Sequence, residues 1–142
     1  MLAPDYARTY RANSVLTASP GQLVLMLYDG ALKSLALARE AFARPADDFR
    51  RLAVINEQLL KAQLIIGELQ DTLNLDAGDG TLAKEMNRLY DYYTRRLTEA
   101  NLRKQPEPVA EVERLLRELR NSWAEMLHKN DATRSEFVRS VA

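Results

Sequence analysis

From Ser19 onward, apolar residues recur three and four positions apart in four long blocks, the period that lays them along one stripe of an α-helix. In the first block, about Pro20 to Arg44, the stripe is Val24, Leu27, Ala31, Leu35, Ala38 and Phe42. The second, about Asp48 to Leu73, offers Leu52, Ile55, Leu59, Ala62, Ile66, Leu69 and Leu73. Leu82, Met86, Leu89, Tyr93, Leu97 and Ala100 mark the third, about Thr81 to Lys104, and Val109, Val112, Leu116, Leu119, Trp123 and Met126 the fourth, about Pro108 to His128. Residues of this kind at this spacing are expected to be core. Four such helices joined by short connections predict an all-α, antiparallel up-down-up-down four-helix bundle.

The boundaries carry their own chemistry. Ser19-Pro20-Gly21-Gln22 combines a capping serine, a proline at the first helical position and a glutamine that completes a capping box. Pro45 with Asp47-Asp48 ends the first helix and favours the start of the second. Asn74 to Thr81 holds two glycines and two aspartates and predicts a tight reversal, and Pro106 and Pro108 separate the last two helices. Residues 1–18 form an N-terminal arm, expected to be mobile, 19–128 the bundle, and 129–142 a C-terminal tail with little periodic apolar surface.

More apolar surface is present than four stripes account for. On the first helix, Leu23, Met26 and Leu37 flank the stripe on one side and Leu25, Leu32 and Ala36 on the other. On the second, Ala53, Leu60, Leu64 and Gly67 make a further stripe, and Asn56, Gln63 and Gln70, seven apart, predict an uncharged column of amides beside it. A helix apolar nearly all round needs cover on every side, which a lone bundle does not supply. Candidate contacts with a partner are Leu60, Gln63, Leu64 and Gly67 on the second helix, and Tyr90 and Tyr92 on the third, because Tyr90, Tyr92 and Tyr93 cannot all face inward. Tyr6 and Tyr10 in the arm either pin it to the bundle or meet a second protein.

Composition narrows the chemistry. Twenty basic and twenty acidic residues leave no net field for nucleic acid, and 46% apolar with 28% charged residues suits a globular chain. The absence of cysteine removes disulfides, thiolate nucleophiles and most zinc sites. Glu125 and His128 give the E-x-x-H spacing of di-iron bundles, yet the second such motif is missing and His128 is the sole histidine. Asp76 to Gly80 lacks the ligand spacing of a calcium loop. No phosphate-binding G-x-x-x-x-G-K-[ST] occurs. The expectation is therefore a non-enzyme without metal or cofactor, cytoplasmic and with no membrane insertion, since no run approaches the roughly 18 apolar residues of a span and no signal-like segment opens the chain. The surplus face alone would suit self-association, as in a homodimer.

The stretches YRANSVLTASPGQLVLMLYDGAL, LLKAQLIIGELQDTLNLDAGDGTLAKEMNRLYDYYTRRLTEAN and LLRELRNSWAEM, in this order, resemble the flagellar export chaperone family FliS from about Tyr6 to Met126. The most specific pieces are the T-A-S-P-x-Q-L cap running into L-Y-D-G-A, and L-Y-D-Y followed by A-N. The resemblance implies a bundle that holds the C-terminal segment of flagellin in its outer grooves and keeps it from polymerising in the cytoplasm. It also implies an arm that lies over part of that surface at rest, and delivery to the flagellar type III export gate through an arm tyrosine that maps best to Tyr10, then Tyr6.

Overall fold

In the computed structural model, residues 19–141 are described and fold into four helices: α1 (Pro20–Phe42), α2 (Arg51–Asp71), α3 (Thr81–Arg103) and α4 (Glu107–Val141). Ser19 caps α1 as its sequence requires, its Oγ accepting from the Gln22 amide at 3.2 Å, with Pro20 at the start of the helix. Asp48 holds the Arg50 amide at 2.9 Å, so α2 begins three residues after the aspartate rather than at it. In the α2–α3 reversal the Asp79 carboxylate accepts from the Thr81 amide, a bond that lowers its pKa. Gly80 sits at φ +78°, and a Cβ there would lie 2.7 Å from the Leu75 carbonyl oxygen, so the turn admits only glycine.

Cross-helix bonds fix the directions. Arg39–Glu113, Asp29–Arg120 and Gly21–Trp123 join α1 and α4 antiparallel. Asn56–Lys104, Gln63–Thr98 and Gln70–Asn87 do the same for α2 and α3. α1 packs on α2 and α4, and α3 closes the square against the same two helices. Across the remaining diagonal the hydroxyls of Tyr28 and Tyr90 meet at 2.5 Å in the middle of the core.

The stripes are core over most of their length, and the departures are local. Leu52 and Leu82 lie in the first turns of α2 and α3, where no neighbour reaches them, and are exposed. On α3 Tyr93, Leu97 and Ala100 are buried as the stripe predicts, and in its first part Ala83 and Tyr90 point inward in place of Leu82 and Leu89, which are exposed. The ring of Tyr90 fills the centre and finds a hydroxyl partner there, which a leucine would not need. On α1, Leu32 is buried although its spacing places it beside the stripe. Met126 is exposed, and α4 runs on to Val141 with every residue from His128 onward exposed.

Candidate functional site

The expected second stripe on α2 stands clear of the core. Leu60 is 54% and Leu64 72% exposed, Ala53 is exposed, and a Cβ at Gly67 would touch nothing within 4 Å. At about 100° per residue, Leu60, Leu64 and Gly67 share one outer face of the helix. On a separate face of the bundle, along α1, Met26 and Leu37 are exposed and Leu23 is half-buried. Between the two helices opens a trough of about 540 Å³ lined by Leu23, Met26, Leu27, Glu68, Asp71 and Thr72. Leu23 and Met26 were legible as surplus, but their partnership with the end of α2 depends on the antiparallel register, which one sequence does not give.

Three other expected contacts have partners within the bundle. The amide column turns onto α3 instead of standing open beside the stripe. Gln63 Nε2 donates to the Thr94 carbonyl at 3.0 Å and to Thr98 Oγ1 at 2.7 Å, and Gln70 Nε2 to Asn87 at 3.0 Å and Asp91 at 2.8 Å. Asn56 accepts from Lys104 Nζ at 2.7 Å. Half-buried amides between two helices bind the nearest polar groups, so Gln63 ties α2 to α3. Tyr90, expected at the edge of the α3 stripe and as a partner contact, is 2% exposed and belongs to the core. Tyr92 is half-buried and donates to the Glu111 carboxylate at 2.9 Å, a carboxylate also held by Arg96 Nε at 2.8 Å. The Arg96 bond is the main reason the Glu111 pKa is lowered. Tyr6 and Tyr10 lie outside the described residues.

The site has no constellation for bond-making. Its residues are leucine, methionine and glycine with two carboxylates at one end, and burial pushes up the pKa of the core tyrosines Tyr28 and Tyr90 instead of activating them. Glu125, of the E-x-x-H spacing, pairs with Lys129 at 3.1 Å on the exposed part of α4. Among the described residues no helix is long and apolar enough to cross a membrane.

A model of the family described as flagellar protein FliS matches residues 2–130. The chain belongs to the FliS family. It is 43% identical over 118 residues to the flagellar secretion chaperone FliS of Bacillus subtilis, covering 83% of each chain. To the protein of the same name from Salmonella typhimurium it is 38% identical over 125 residues, covering 87% of this chain and 88% of the relative. The Vibrio cholerae FliS is 30% identical over 118 residues, 83% of this chain and 82% of its own. FliS is a family of chaperones and not of enzymes, in keeping with a site made of contact surface. The role that membership gives this chain is that of a flagellar export chaperone. Within this FliS-family chain the last part of α4, beyond residue 130, lies outside the span matched by the family model.

Proposed function

We propose that this protein binds the disordered C-terminal segment of flagellin, prevents its premature polymerisation in the cytoplasm and helps deliver it to the flagellar type III export gate. The observation that carries the reading is the exposed apolar face of α2, Leu60 and Leu64 beside Gly67, in a member of a secretion-chaperone family. A client segment that folds on binding buries about 1,000–3,000 Å² and spends several kcal/mol on becoming ordered, so a long greasy surface is needed to leave a net gain. Each exposed leucine, when covered, contributes about 1.5–3 kcal/mol. Tyr10, and after it Tyr6, are proposed for the step at the export gate.

The test is co-purification and calorimetry with flagellin, with and without its C-terminal segment. Binding is expected only to flagellin that retains that segment. Leu60→Asp with Leu64→Asp should weaken binding about a hundredfold or more while stability shifts by less than about 1 kcal/mol, since both side chains are at the surface. A saturable response that survives the double substitution would assign the client to another face; concentration-dependent dimerisation without any flagellin response would favour self-association.

A further inference from the structure

We propose that α3 is a detachable wall of the bundle: in the free protein it leaves α2 and α4 as one unit, at lower free energy than the rest of the fold unravels. The seam that parts is polar. Asn56, Gln63 and Gln70 of α2 stand seven apart, and Asn101, Thr94 and Asn87 meet them at the same interval on α3. Lys104 Nζ bridges Asn56 and the Asn101 side chain at the first rung, and Thr98 and Asp91 add a second acceptor to the other two. Each rung includes an exposed residue, Asn56, Thr98 or Asp91. Water therefore takes over these bonds when the seam opens, and each contributes little net to holding it shut.

α1 and α2 are joined differently. Among the described residues their one side-chain hydrogen bond runs from Arg51 to the Phe42 carbonyl, and apolar packing does the rest, with Ile65 Cδ1 3.5 Å from where a Cβ of Gly30 would stand. α3 makes the two thinnest of the four interfaces between neighbouring helices, and it buries two alanines, two tyrosines and a single leucine. Regions with few buried apolar contacts and many exposed hydrogen bonds open first. The connections suit movement as well. Gly78 and Gly80 take positive φ before α3, and after it Lys104 holds φ +53°, the one non-glycine residue at positive φ among those described. That strain is released when its clamp on Asn56 lets go. The Tyr28 and Tyr90 hydroxyls, which satisfy each other in the closed bundle, gain water when α3 leaves. On α2 the Gln63 rung separates the inner Leu59, Ala62 and Ile66 from the outer Leu60 and Leu64. Departure of α3 joins the two sets into one apolar strip, so the bundle can widen the surface it offers.

Hydrogen exchange of the full chain without client tests this, so the outcome is independent of any flagellin response. Amides of α3 from Glu85 to Arg103 should be at least about tenfold less protected than the slowest amides of α1 and α2, and their exchange should depend more weakly on added urea. Two substitutions on α2 then separate an opening of α3 from global unfolding. Gly67→Ala strengthens α2 whether or not α3 is docked, and Ile65→Val loosens the contact with α1 in both forms alike. The first should slow the slowest α1 and α2 amides about two- to fivefold and the second should speed them about two- to tenfold, while α3 exchange stays unchanged in both. Equal protection of all four helices would overturn the inference. So would an α3 rate that moves with the others in either variant, since the opening would then include α2.

Discussion

Tyr28 and Tyr90 illustrate what a single buried hydroxyl demands. Each satisfies the other at 2.5 Å across the bundle diagonal, and both residues are 2% exposed. Tyr28→Phe or Tyr90→Phe alone should cost about 1–3 kcal/mol in denaturant unfolding, because the surviving hydroxyl is left buried and unpaired. The double change should cost less than the sum of the two, a coupling that a double-mutant cycle reads directly. That Tyr90, expected at the edge of the α3 stripe, is core shows where single-residue reading stops: its partner lies 62 positions earlier in the chain. Gln63 is the same lesson in reverse. Its spacing was legible, but whether its amide faced a guest or α3 was decided by Thr94 and Thr98.

Among the elements, α2 divides most clearly between core and surface. Its inner face, Ile55, Leu59, Ala62, Ile66 and Leu69, is fully buried as the period predicts, and its outer face keeps two leucines and a glycine in the open. Glycine inside a helix costs about 1 kcal/mol relative to alanine, and here no neighbour fills the space a methyl would take. Gly67→Ala should therefore raise stability by about 0.5–1 kcal/mol in thermal or chemical unfolding. If the client backbone approaches this point closely, the same change should weaken flagellin binding, measured by calorimetry. The helices' existence, order and most of their inner faces were legible because period, caps and turn residues all agree. The choice of Ala83 and Tyr90 over Leu82 and Leu89 in the first part of α3 was not, since both sets fit a helical stripe and only cross-bundle packing separates them. The continuation of α4 to Val141 was not legible either, because nothing buries residues 128–141 to impose a period on them.

At the scale of the whole molecule, the core carries a pH limit on its alkaline side. Burial raises the pKa of Tyr28 and Tyr90 and pushes Tyr93 up to about 12, against an ordinary value of 10.0. The unfolded chain gives up these protons first as pH rises. Stability is therefore full below about pH 10 and declines as pH climbs from there toward about 12, where folded Tyr93 also ionises. Urea unfolding between pH 8 and 11.5 should show a falling midpoint above about pH 10, with tyrosinate absorbance in the folded state lagging behind a normal titration. On the acid side Glu111, held low chiefly by Arg96, contributes stability that is lost as pH falls through the carboxylate range, and its part exposure keeps that contribution small.

Trp123 stands at the junction of these scales. It is the one tryptophan in the chain, half-buried, its Nε1 donating to the Gly21 carbonyl at 2.8 Å where α1 starts. Two residues further along α1, Leu23 opens the trough. The protein thus has a built-in fluorophore at the seam of α1 and α4, and a shift in emission colour on mixing with client would report any repacking at the start of α1 without an attached dye.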